Sequence, residues 1–155
     1  MTDERSSNTD SSTPDTGGQP FEARSAGPRP KILCIEGHSS LRDVTGQLLG
    51  LGSDYEVEMA QNGLEGVQKA RTWQPDLILM GLRLAVMDGY EAIKIIRGNP
   101  VIADTPIIVV SAWSDAKSKQ RALDAGANEH ITPPIDVEHL IRRINWYLDQ
   151  KLQGE

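Results

Sequence analysis

The sequence predicts an α/β domain in which a parallel sheet carries helices on both faces. Three observations lead there. Short apolar runs recur along the chain: KILCIE at 31–36, LILM at 77–80 and PIIVVS at 106–111. Runs that are apolar at nearly every position suit strands buried on both faces. Between them lie segments whose apolar residues recur at helical spacing, and strand and helix alternate through five pairs. Such alternation needs crossover connections, hence parallel strands.

Each element has local reasons. Residues 1–30 are rich in Ser, Thr, Asp, Gly and Pro. They offer too little apolar surface to offset chain entropy, so a disordered tail is expected. The first strand, Lys31–Glu36, is broken by Gly37-His38. Ser39 or Ser40 can cap the next helix, with Leu41, Val44, Leu48 and Leu49 on one face and Gly50 and Gly52 at its end. Tyr55–Ala60 alternates apolar and polar residues, as a strand nearer the edge does. Gln61-Asn62-Gly63 is a turn into a short helix marked by Leu64, Val67 and Ala70, ending near Trp73, which is expected to cover the core edge.

The central strand Leu77–Met80 is bounded by Pro75 and Gly81. Its loop closes at Asp88-Gly89, before a helix from about Tyr90 to Arg97 with Ala92, Ile95 and Ile96 inward. Asn99-Pro100 stops that helix. Pro106–Ser111 is the fourth strand, and Ser114 is placed to cap a helix from Asp115 to Ala125, terminated by Gly126. Asn128–Thr132 is a short fifth strand, and Pro133-Pro134 breaks it. Asp136 caps a last helix whose Val137, Leu140, Ile141, Ile144 and Leu148 form one stripe. The domain is therefore 31–151, with 152–155 a short tail. For five such strands the simplest arrangement is the doubly wound, flavodoxin-like sandwich with strand order 2-1-3-4-5.

Composition narrows the function. The chain has 155 residues, one domain by length, and 38% hydrophobic residues, enough for a core. A net charge of -6 and a pI near 5.1 argue against direct nucleic-acid binding. The single cysteine, Cys34, lies in an apolar run and reads as a small buried hydrophobe. No apolar span suits a membrane helix and no secretory h-region is visible, so the cytoplasm is the expected location. GHSS after the first strand is not a Gly-rich phosphate loop.

Three segments, PDLILMGLRLAVMDGYEA, TPIIVVSAWS and ALDAGANEHITPPID, together resemble the receiver domain of bacterial response regulators. The resemblance runs from Lys31 to about Lys151. A typical receiver transfers a phosphoryl group from a histidine kinase to its own aspartate. That chemistry places a nucleophilic carboxylate at the tip of the third strand and an acidic pair for Mg2+ after the first. It also needs a Ser or Thr after the fourth strand and a Lys after the fifth. By the resemblance these positions fall on Gly81, on Glu36-Gly37, on Ser111 and on Pro133. Only the hydroxyl is retained. The aromatic that changes rotamer in many receivers falls on His130, and the proline after the nucleophile on Ala85.

The resemblance thus implies a pseudo-receiver with no catalytic residue, no metal and no cofactor. It would be a stand-alone, phosphorylation-independent interaction module in two-component-type signalling, because the chain ends at Glu155 soon after the last helix. Its partner would be a protein: a kinase, a regulator, another signalling component or a second copy. The candidate face is Trp113, His130, Arg142, Arg143 and Trp146, since receivers commonly use the fourth and fifth helices and the intervening strand for partners. An exposed Trp flanked by Arg is also the composition of an interface anchor, although Trp146 reads equally as a surface ring lying over its neighbours. Ser111 reads as a hydroxyl bonding backbone at a strand end, Asp88 as turn chemistry, and His130 as a half-exposed strand residue. His38 and His139 lack the spacing of a metal triad. Two rival readings stand beside the module: phosphoryl acceptance on a displaced carboxylate such as Asp88 or Glu36, and a small ligand where Gly81 and Gly37 leave room.

Overall fold

A computed structural model describes residues 29–50, 55–113 and 115–153. The tail expected over 1–30 lies almost wholly outside the described residues, as do Gly52 and Ser114. The chain runs β1 (Lys31–Ile35), α1 (Ser39–Gly50), β2 (Glu56–Ala60), α2 (Gly63–Trp73), β3 (Leu77–Met80), α3 (Gly89–Arg97), β4 (Ile107–Val110), α4 (Ala116–Ala125), β5 (Glu129–Ile131) and α5 (Val137–Gln153). The five strands are parallel and ordered β2-β1-β3-β4-β5.

The pleat sorts each central strand between two cores. Leu33, Ile35, Ile78, Met80, Ile107 and Val109 face the side covered by α2, α3 and α4. Ile32, Cys34, Leu77, Leu79, Ile108 and Val110 face α1 and α5, meeting Leu49, Leu140, Ile144 and Leu148. Each fully buried aliphatic side chain contributes about 1.5–3 kcal/mol, so these strands anchor the fold. Burial on both faces is why their sequences are unbroken apolar runs. β2, at the edge, alternates instead.

Three details depart from the sequence reading. On α3 the inward residues are Ala92, Ile93 and Ile96, and Ile95 is 40% exposed. On α2 the inward face is Gly63, Gly66, Val67 and Ala70, and Leu64 is exposed. With Gly89, which is also buried, the α3 face is spaced i, i+3, i+4, i+7, as is the α2 face. On α2 two of the four positions are glycine, which a hydrophobic count passes over. A Cβ at Gly66 would come within 2.4 Å of the Ile35 side chain, so only glycine lets the helix lie this close to β1. Third, α5 continues to Gln153, past the expected boundary at 151, because helical hydrogen bonding does not stop where the apolar stripe ends.

Capping also differs at one helix. Asp115, not Ser114, is the N-cap of α4, its carboxylate accepting from the Ser118 amide and hydroxyl. Asn62 caps α2 and Asp88 caps α3 in the same manner. Asp136 Oδ1 accepts from the Glu138 and His139 amides at the start of α5. The Pro133-Pro134 bond is cis.

Candidate functional site

Parallel strands bring their carboxyl ends to one edge, where loops converge. Glu36 follows β1, Gly81 follows β3, Ser111 follows β4, and Thr132-Pro133 follows β5. The sheet register fixes the first two side by side: the Gly81 amide donates to the Ile35 carbonyl at 2.8 Å, and the Glu36 amide to Ala60 at 3.0 Å.

Glu36 is buried, 7% exposed, and its Oε1 accepts from the His38 amide at 3.2 Å. Its carboxylate lies over the tip of β3. A Cβ built on Gly81 would meet Glu36 Oε2 at 3.0 Å, and Cδ and Oε1 at 3.3 Å. The space one bond beyond the Gly81 backbone is thus already filled by a carboxylate. Room for a ligand beside Gly81 is not what the structure has: the cavity lined by Glu36, Thr45, Met80 and Gly81 measures about 10 Å³. That is the volume of about one water.

The donor set here does not suit a divalent cation. Glu36 supplies one carboxylate, Gly37 and Gly81 supply none, and among the described residues no cluster of three His, Cys, Asp or Glu side chains is placed to hold a metal. A hard cation wants several oxygen ligands converging. Asp88 is exposed, and its Oδ1 is occupied by the Glu91 amide at 2.9 Å. Beneath Glu36, burial and then the Glu36 charge push the Cys34 thiol up to about 12, so it is inert at neutral pH.

The Ser111 hydroxyl accepts from the Trp113 amide at 3.1 Å, and the Ser111 amide donates to Ile131 at 3.2 Å. The hydroxyl thus ties the strand end to its own loop. Pro133 is half-buried and brings neither a side-chain donor nor an N–H.

The candidate face divides into two clusters. Arg143 makes a forked pair with Glu129, at 3.0 Å from Nε and 2.9 Å from the second nitrogen. The Tyr147 hydroxyl donates to the same carboxylate at 2.8 Å, and the Arg143 guanidinium lies 5.0 Å from the Trp146 ring centroid. Trp146 is 47% exposed and Arg142 is exposed beside it. Trp113 belongs elsewhere. It stacks near Tyr90 of α3, with Arg83 and Arg121 at the ends of the stack. Nothing in the sequence ties Tyr90 or Arg121 to Trp113, since the three meet only through tertiary packing.

His130 links the clusters. Its Nε2 bonds the Trp113 carbonyl at 3.0 Å, which makes Nε2 the protonated nitrogen, and its buried Nδ1 has no partner among the described residues. Burial pushes its pKa below the ordinary 6.5, against the Trp113 bond that raises it.

The family model "Response regulator receiver domain" matches residues 32–145. The DNA-binding dual master transcriptional regulator RpaA of Synechocystis is 31% identical over 74% of this chain and 47% of its own length. The response regulator ArlR of Staphylococcus saprophyticus is 36% identical over 79% of this chain and 54% of its own. The chain therefore spans about half the length of these curated relatives. Among solved structures, the receiver domain of a sensor histidine kinase from Pseudomonas aeruginosa, with magnesium in its active-site cleft, matches with a TM-score of 0.72 and 30% identity. That match covers 78% of this chain and 98% of the other. The Vibrio cholerae chemotaxis protein CheY4 matches with a TM-score of 0.70 and 28% identity, over 77% of this chain and 98% of the other.

Proposed function

The chain belongs to the response regulator receiver domain family, and from that premise we propose that it works without phosphorylation, as a docking module for another signalling protein. The observation that carries the proposal is the Glu36 carboxylate standing 3.0 Å from where a Gly81 side chain would begin. A phosphoryl group is anionic, and it would meet this carboxylate where a nucleophile and a metal are needed. Pro133, at the position assigned to the stabilising lysine, offers no positive charge. Loss of one such electrostatic donor costs about 100- to 1000-fold in rate. The rival carboxylates also read as structural: Asp88 caps α3 and Glu36 holds the His38 amide.

Receiver domains work with kinases and regulators, and a segment of hybrid signal transduction histidine kinase G of Dictyostelium discoideum is 34% identical to this chain. A partner from that circle is the one proposed, met through Trp146, Arg142 and Arg143, with a second copy as the alternative. Among the described residues no helix is long and apolar enough to cross a membrane. Cytoplasmic placement belongs to the proposal, as does the absence of direct nucleic-acid binding.

Beryllofluoride with Mg2+ tests the reading, because it mimics an acyl phosphate on a receiver aspartate. The amide resonances of Gly81, Ser111 and Trp113 should stay in place. A saturable new set of resonances at those residues would overturn the proposal.

A further inference from the structure

Tyr90, Trp113, Arg83 and Arg121 form a column beside the strand tips, with Tyr90 buried and the other three exposed. The Tyr90 and Trp113 rings are 17° from parallel with centroids 6.5 Å apart. Arg121 lies 3.9 Å from the Tyr90 centroid, and Arg83 lies 5.2 Å from that of Trp113. An open groove of about 270 Å³ runs along it, lined by Tyr90, Trp113, Asp115, Lys117, Ser118 and Arg121.

The charges of this groove are unbalanced. Among the described residues the ion pairs are Lys69 with Glu58 and Glu65, and Arg143 with Glu129. Arg83, Lys117 and Arg121 take part in none of them, and all three are exposed. The one carboxylate in the lining, Asp115, is engaged by the Ser118 amide at 3.0 Å and hydroxyl at 2.7 Å. On a chain of net charge -6, three cations outside any ion pair, set against the one Asp115 carboxylate, leave this patch locally positive.

We propose that this groove binds a small planar anion of the nucleoside phosphate class, its ring against Trp113 and its phosphate at Arg121 and Lys117. Trp113 is 39% exposed, so a ring can lie against the part of its indole that Tyr90 and Arg83 leave uncovered, whereas Tyr90 is buried and serves as the fixed floor. Every nucleobase has a π-face, and base–aromatic stacking is tolerant of base identity. Guanidinium and ammonium groups supply charge-assisted donors to phosphate oxygens. At about 270 Å³ the groove lies just below the usual range for small-molecule sites, which fits a mononucleotide rather than a folded segment. The proposal is independent of the phosphotransfer reading, since neither Glu36 nor Gly81 lines this groove.

The test is a titration of the full chain with AMP and GMP, followed through the Trp113 indole N–H and Tyr90 ring resonances. Adenosine, ribose 5-phosphate and inorganic phosphate serve as separate arms. AMP or GMP should give saturable shifts, with adenosine and phosphate each much weaker. Losing the stacked ring in Trp113→Ala, or the charge in Arg121→Gln, should weaken binding about ten-fold. Lys117→Gln, a change at an exposed position that leaves the ring column intact, should weaken it in the same direction. Equal shifts from inorganic phosphate and AMP would overturn the proposal, as would unsaturated shifts at ten-millimolar nucleotide. So would unchanged affinity in all three variants, or displacement of Trp113 by an acidic peptide but by no nucleotide.

Discussion

Gly81→Asp is the most informative single change. The new Cβ would start 3.0 Å from Glu36 Oε2 and 3.3 Å from Cδ, so two carboxyl groups would share a buried corner with a cavity of about 10 Å³. Two like charges about 4 Å apart repel by about 4 kcal/mol at an effective dielectric of 20. Rotation of the Glu36 side chain relieves part of this, leaving a loss of about 2–3 kcal/mol at neutral pH. At about 4 °C per kcal/mol for a domain of this size, the thermal midpoint should fall by about 8–12 °C. The pH dependence gives the sign. Repulsion raises the proton affinity of the folded pair above that of the unfolded chain, so the folded state takes up protons first. The penalty is complete above the raised folded value and shrinks as pH falls toward the ordinary carboxylate range. Gly81→Ala is the control: it adds the Cβ without the charge, and the flexible end of Glu36 can move aside, so its cost should stay within about 1 kcal/mol. The assay is thermal unfolding of the three proteins from pH 4.5 to 8. If Gly81→Asp and Gly81→Ala have the same midpoint at every pH, the Glu36 carboxylate does not occupy this corner and the reasoning fails.

Three further outcomes follow. Mg2+ titrated into the native protein should produce no saturating amide shifts below the millimolar range, because Glu36 is a lone carboxylate; sub-millimolar saturation centred on Glu36 and Arg83 would count against that. Arg97→Ala should cost about 2–4 kcal/mol in chemical unfolding, because its guanidinium donates to the Gly126, Ala103 and Thr105 carbonyls and to Asn128 Oδ1, leaving four acceptors short; a loss under 1 kcal/mol would refute that role. His130 has a folded pKa below its unfolded 6.5, so its contribution is full above 6.5 and is lost as pH falls beneath it; His130→Gln should flatten the stability profile in that window, and an unchanged slope would place the titration elsewhere.

How far the sequence could be read depended on what each residue must do. The three inner strands are legible because burial on both faces leaves only apolar residues; alternation with helices makes them parallel, and their order is that of the simplest five-stranded member of the class. The inward faces of α2 and α3 were less so. Gly63 and Gly66 pack by being small, and the Leu64 and Ile95 side chains point outward although apolar. At the strand tips, the residue types at 36, 37, 81, 111 and 133 were readable, but the fate of the space was not. A missing side chain suggests a void, whereas the folded chain sets the Glu36 carboxylate across it. In sequence Trp113 groups with Trp146, yet its neighbours are Tyr90, Arg83 and Arg121, which are brought together by chain crossings that no spacing encodes.

The central claim is that no phosphoryl group is accepted at the strand tips. Intact-mass spectrometry of the native chain after incubation with acetyl phosphate and Mg2+ tests it most directly. One mass is expected, that of the untreated protein, at all incubation times. A base-labile adduct of one phosphoryl group, approaching one per chain and lost when Glu36 or Asp88 is replaced by its amide, would contradict it.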